Sequence, residues 1–273
     1  MAEYHTSENF KAHEMLYRAQ IPGQAYVGLR FDGKAFHSFT RGFEKPFDIR
    51  LSDAMVTATK YLVQHTQGAI LGYTQSDEIS LVISNMGSRY SQLPFNGEVE
   101  KLLSVLTSQV AVAFYDALRT AGCHVQSLPA FDGRIAFVAK HIEVIEGYLF
   151  WRRTDSRTNA VQAACQALYS HKRLHQVGSD EQVKLLIGTD FERMPDNLFW
   201  GSLITKRQES VRGIDPRSGD SCMAIRTKVV DVPATRSNVS AVLGTLTNGP
   251  AVAAGAGRLR IDATRHHLGL VDA

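Results

Sequence analysis

Two apolar runs separated by a polar knot constrain this chain more than any other feature. Ala69-Ile70-Leu71-Gly72-Tyr73-Thr74 leads into Gln75-Ser76-Asp77-Glu78, and Ile79-Ser80-Leu81-Val82-Ile83 leads away. The pattern predicts two antiparallel strands joined by a tight turn, with two carboxylates at its tip. Adjacent acids repel, so such a tip costs stability unless a cation lies between them. Mg²⁺ is the expected cation, because hard divalent ions take carboxylate oxygens held on a rigid support.

A second acid of the same kind ends the run Tyr26-Val27-Gly28-Leu29-Arg30-Phe31-Asp32-Gly33. Here a short strand meets Asp-Gly, a strand-to-loop signal, and Gly33 is read as permitting a sharp backbone turn that brings its carbonyl toward a ligand. If strands 26–31 and 79–83 share a sheet, Asp32 and Asp77 meet at one edge of it. Asp-Gly is also the commonest turn dipeptide, so spacing alone leaves both aspartates open to a purely structural reading.

Four motifs in order carry a resemblance. Arg30-Phe31-Asp32-Gly33-Lys34-Ala35-Phe36-His37, Glu44-Lys45-Pro46-Phe47-Asp48, Tyr73-Thr74-Gln75-Ser76-Asp77-Glu78 and Phe131-Asp132-Gly133-Arg134 resemble the tRNA-histidine guanylyltransferase family over roughly residues 20–210. The resemblance implies an α+β fold: a palm-like antiparallel sheet, similar to those of polymerases and nucleotide cyclases, flanked by helices, with a helical C-terminal part. It implies nucleotide addition to the 5′ end of tRNA in the 3′-to-5′ direction. ATP would adenylylate a 5′-monophosphate end, an NTP hydroxyl would displace AMP, and pyrophosphate would be removed later.

What the resemblance implies for residues follows the motifs. Asp32, Asp77 and the Gly33 carbonyl would hold two Mg²⁺ ions, with Glu78 beside them as a further catalytic residue that tunes the site. Lys34, His37, Lys45, Asp48 and Ser76 would contact ATP, GTP or another NTP. Arg134, Arg152, Arg153, Arg157, Asn159 and Lys206 are the expected RNA or phosphate contacts. A homotetramer is implied in the same way.

One departure is informative. Members that add the extra guanosine to tRNA-histidine carry a His-Ile-Asn-Asn-type motif after a Trp-Arg-Gln segment. This chain has Trp151-Arg152-Arg153-Thr154-Asp155-Ser156-Arg157-Thr158-Asn159-Ala160, with Arg157 in place of the histidine and Ala160 in place of the second asparagine. That resembles the branch implicated in template-directed repair of truncated tRNA 5′ ends.

The rest of the chain supplies bounds. Its 273 residues, 44% hydrophobic, suffice for one or two domains. No apolar run is long enough to span a membrane, and the first residues do not read as a secretory signal. Cys123, Cys165 and Cys222 fit neither a zinc spacing nor a disulfide framework, which suggests a reducing cytoplasm. A net charge of +3 permits nucleic-acid binding without arguing for it. Between Lys140 and His175, six Lys/Arg face three acids, a balance that suits a tRNA backbone and equally a solvated helix face. No P-loop or Gly-x-Gly-x-x-Gly is present, so phosphate handling falls to metal, lysine and arginine.

Helices are expected at 6–20, at 53–67 capped by Ser52, at 98–120, and from 141 to 176 with a break near 153–156. A short helix is expected from Ser179 to Ile187, opened by the capping box Ser179-Asp180-Glu181-Gln182. The organisation expected is a palm-like core at 1–140, a helical RNA-binding part at 141–230, and an extension at 231–273 in which no motif is legible.

Overall fold

The structure, a computed structural model, describes residues 7–16, 18–214 and 217–247. In chain order the elements are α1 (Ser7–Leu16), β1 (Tyr26–Gly33), α2 (Phe36–Phe39), α3 (Ile49–His65), β2 (Ala69–Gln75), β3 (Glu78–Ser84), α4 (Val99–Thr120) and β4 (Phe131–Ala139). They continue with α5 (Glu143–Leu168), α6 (His171–Leu174), α7 (Ser179–Leu185), α8 (Asp196–Trp200), β5 (Ser202–Ile214), β6 (Ser221–Pro233) and α9 (Arg236–Thr247).

The strands form one antiparallel sheet in the order β4-β1-β3-β2-β5-β6. Its first four strands, with α3 and α4 as crossovers, make the split βαβ arrangement in which β1 and β3 lie side by side at the centre. The alternation of side chains explains the burial. Val27, Leu29, Phe31, Ile79, Leu81 and Ile83 pack with α3 and α4, through Ala58, Leu62, Leu106, Val110 and Phe114. On the opposite face Leu71, Tyr73, Val82 and Leu203 pack with Ile145, Leu149 and Val161 of α5, Phe199 of α8 and Val239 of α9. Covered on both sides, β2 and β3 read as nearly continuous apolar runs rather than as alternating ones.

The fold is the α+β, palm-like sheet flanked by helices that the motifs imply, and several local expectations change. Helix α3 starts earlier than expected, at Ile49, because Asp48 rather than Ser52 is its cap: the Arg50 backbone N–H donates to Asp48 Oδ1 at 3.0 Å. Helix α5 runs unbroken through 153–156. Two polar side chains at this point find tertiary partners that suit a continuous helix: Arg152 bonds Glu78, and Ser156 Oγ donates to the Phe199 carbonyl at 3.1 Å. Gly178, not a Ser179 box, caps α7, and the Ser179 hydroxyl is buried without a hydrogen-bond partner among the described residues.

The segment 141–230 is not wholly helical. β5 joins the core sheet through Ser202–Thr205, opposite Thr74–Leu71 of β2, and then continues with β6 as a two-stranded ribbon as far as the pair Ile214 and Ser221. Helix α9, in what was read as the extension, buries Val239, Val242 and Leu243 against the second core. The glycine-rich stretches at 249–257 lie outside the described residues. No helix among the described residues is long and apolar enough to cross a membrane.

Candidate active site

Register places the acids. Asp32 lies directly opposite Glu78 on one side and Asp132 on the other, so three carboxylates form a row across β4, β1 and β3. The neighbouring row is Arg134, Arg30 and Ser80. Like charges directly opposite each other in a sheet are destabilising, and the arginines offset them. Arg134 pairs with Asp132, and its Nη2 lies 3.8 Å from Asp32 Oδ2. Arg30 Nε lies 3.7 Å from Glu78. From α5, Arg152 donates through Nε and Nη2 to the two Glu78 oxygens, each at 2.8 Å, and through Nη1 to Asp155 at 2.6 Å.

Asp77 sits in the turn that joins β2 to β3. Ser76, with φ at 49°, takes the left-handed conformation the turn needs, and its hydroxyl donates to Asp77 Oδ1 at 3.2 Å. The Asp77 carbonyl accepts from the Gly33 N–H at 3.0 Å. That bond ties the loop after β1 to the hairpin tip, so Asp32 and Asp77 are brought together by backbone as well as by sheet register. Burial pushes the Asp77 carboxyl above the usual aspartate range, and the charge of Asp32 pushes it further in the same direction. Gly33 is required for a different reason from the one its sequence suggests. Its φ is not in the left-handed region; a Cβ there would collide with the Phe36 ring.

Beside Asp77 opens a cavity of about 330 Å³, a size suited to a small-molecule ligand. Phe36 and Phe114 contribute apolar wall. His37 lines it from α2, Lys45 and Ser76 from loops, Ser156 and Asn159 from α5, and Asn197 and Leu198 from α8. Lys45 Nζ donates to Thr40 Oγ1 at 3.3 Å and remains exposed. Sequence reading missed Asn197 and Leu198, which stand just before the Phe199-Trp200-Gly201 segment and carry no motif of their own.

Other expected contacts are placed elsewhere or are already engaged. Asp48 lines the cavity, but both its oxygens are taken: Oδ1 by Arg50 N and Nε, Oδ2 by Glu44 N and Arg50 Nη2. These bonds, led by the one from Arg50, lower its pKa to about 2. Asp48 therefore organises the loop that carries Lys45. Asp48→Ala is expected to lose about 2 kcal/mol of stability at pH 7 through the lost cap and charged bonds. A depressed carboxylate stabilises the fold above its unfolded pKa. The gap between wild type and variant in urea unfolding should therefore narrow as pH falls from about 4 toward 2.

Lys34 is exposed outside the cavity lining. Arg152 and Glu78 are buried in their mutual ion pair. Arg153 is buried with its guanidinium 4.2 Å from the centre of the Trp200 ring. Arg157, mostly buried, lies 3.9 Å from Asp180. Lys206 donates to the Ala69 carbonyl at the end of β2 remote from the acid tip, so it stands apart from Asp77 by the length of that strand.

Known proteins are similar to this chain. The family model described as Thg1, tRNAHis guanylyltransferase, matches residues 7–139. An uncharacterized protein of Acanthamoeba polyphaga mimivirus is 32% identical over 201 residues, covering 66% of this chain and 68% of that one. The tRNA(His) guanylyltransferase of Schizosaccharomyces pombe is 34% identical over 155 residues, so the chain spans about half that relative's length, 56% of each being covered. Among solved structures, a bacterial Thg1-like protein in complex with GTP superposes with a TM-score of 0.70 at 27% identity, covering 87% of this chain and 98% of that one. A bacterial Thg1-like protein in complex with ATP gives 0.68 at 29%, covering 80% and 90%. Motif order, the β4-β1-β3-β2 core with its paired aspartates, and these likenesses agree that the chain belongs to the Thg1, tRNA(His) guanylyltransferase, family of nucleotidyltransferases.

Proposed function

We propose that the chain is a template-directed 3′-to-5′ nucleotidyltransferase that extends the 5′ end of truncated tRNA after ATP-dependent activation of that end. The observation that carries this reading is the juxtaposition of Asp32 and Asp77, joined through the Gly33–Asp77 bond, with Asp77 at the wall of a cavity that Lys45, His37, Ser76 and Asn159 also line. The bacterial Thg1-like proteins described in complex with ATP and with GTP support a nucleotide as its occupant.

The residues fit Mg²⁺. Two carboxylates, Asp77 raised in part by the charge of Asp32, and the Gly33 carbonyl beside them form a hard-oxygen donor set. No group of three or more His, Cys, Asp or Glu poised to hold an ion occurs among the described residues. Mg²⁺ takes one or two carboxylates and completes its shell with water and substrate phosphate. Asp32, Asp77 and Gly33 would hold it. Two ions bound there would neutralise charge on the reacting phosphorus and favour the ionised 3′-hydroxyl.

The chain's own groups do the positioning. Lys45 presents an ammonium to triphosphate oxygens from a loop braced by Asp48. Ser76 offers its hydroxyl and its turn amide to the same phosphates. His37 and Asn159, both in the cavity lining, would orient the nucleotide held there. Arg134, half exposed beside Asp32, and Arg157 on α5 are the cations offered to the RNA phosphates. Glu78 acts from behind, through Arg152, on the hairpin that carries Asp77.

The test uses a 5′-monophosphorylated tRNA lacking its first nucleotide, with ATP, Mg²⁺ and each labelled NTP in turn. Addition only of the nucleotide complementary to the opposing base supports templated repair. Guanosine added whatever the opposing base would return the chain to tRNA(His) maturation, the activity named for the S. pombe relative. Release of a cyclic nucleotide without end extension would overturn both.

A further inference from the structure

We propose that Arg134 is a built-in counter-ion of Asp32, standing against its carboxylate until a divalent cation displaces it. The inference rests on the reading of Asp32 as a cation ligand. Within the acid row the three carboxylates are neutralised in two different ways. Glu78 is clamped by Arg152, whose side chain is 5% exposed, with both oxygens in hydrogen bonds. Asp32 has no such clamp; its cationic neighbour is Arg134, 48% exposed, held from the far side by Asp132 and approaching Asp32 Oδ2 at 3.8 Å. A buried, bidentate guanidinium is fixed in place. A half-exposed one that leans on a half-exposed aspartate can leave at small cost.

The chemistry follows from the row. Without metal, Asp32 lies between two other carboxylates, and Asp77 is close enough for its charge to matter. A cation is needed there at all times, and Arg134 supplies it. Metal binding is then an exchange of one cation for another, so the apparent affinity is lower than the carboxylates alone would give. Asp132 serves this exchange by keeping Arg134 beside the site.

The probe is Mn²⁺ alone, titrated into the full-length chain and followed by the electron paramagnetic resonance signal of the free ion. R134Q should bind Mn²⁺ about three- to tenfold more tightly than wild type, the scale expected for a half-exposed pair at this separation. Unchanged or weaker binding overturns the proposal. R119Q makes the same charge change at the exposed end of α4, where Arg119 pairs with Asp116. It should leave the affinity unaltered; equal tightening there would show a general field and likewise overturn the proposal. D32N separates the two readings. If D32N abolishes binding while R134Q is silent, the cation site stands and the counter-ion fails. If D32N binds Mn²⁺ as wild type does, the cation site itself fails.

Discussion

Asp77→Ala is expected to lose nucleotide addition by at least about a thousandfold while the fold survives with equal or greater thermal stability. The loss follows from charge: a cation-holding carboxylate contributes several kcal/mol to a transition state that spreads negative charge over phosphate oxygens, and each 1.4 kcal/mol or so is tenfold in rate. The stability follows from burial. Asp77 is desolvated beside Asp32, so its ionised form is a burden in the free protein, and its pKa lies above that of an ordinary aspartate. A carboxyl raised on folding makes the protein less stable as pH rises through its range, which means alanine removes a cost at neutral pH. Single-turnover rates across pH, with melting curves of both proteins, check this. An active Asp77→Ala protein would end the catalytic reading.

The second large effect concerns stability. Arg152→Gln leaves Glu78 buried without its bidentate partner, and breaking one side of such a pair costs about 3–5 kcal/mol. For a domain of this size that corresponds to a melting temperature lower by about 6–20 °C. Burial already raises Glu78 above the usual glutamate range, in spite of Arg152 and Arg30. Without Arg152 it rises further, and at low pH the neutral carboxyl no longer suffers. The deficit should therefore shrink on acidification. The double variant Glu78→Gln/Arg152→Gln, which replaces two charges by two amides, should recover most of it. A deficit independent of pH, or unrecovered in the double variant, would mean that the pair is not what holds α5 to the hairpin.

How much of this was legible beforehand depends on where each residue's partner lies. The hairpin could be read because Ala69–Ile83 carries its own turn chemistry and its own apolar runs, and Asp32 because a strand visibly ends there. The sheet order that joins the two acids is a matter of register, which no local pattern encodes. Arg152 and Arg153 look like members of a basic outer face when counted with Arg157, Lys172 and Arg173. In the fold they turn inward, because Glu78 and Trp200, remote in sequence, await them. The cap of α3 was misplaced by the same kind of blindness: Ser52 and Asp48 are both good caps, and the choice is made by the loop amide of Glu44, which needs the Asp48 carboxylate. Beyond Thr205 neither β5 nor most of β6 has a fully buried face, so no apolar alternation marks the ribbon in the sequence.

That ribbon gives one strand two personalities. From Ser202 to Thr205 the backbone of β5 is stitched on both sides and cannot open without disturbing the whole core. A few residues later the same strand has a neighbour on one side alone among the described residues, and a two-stranded ladder in water is marginal. Its amides should exchange with solvent through small local openings, while those nearer the core wait for global unfolding. A single continuous β-strand thus works as an internal ruler, on which the distance from the core is recorded as hydrogen-exchange lifetime.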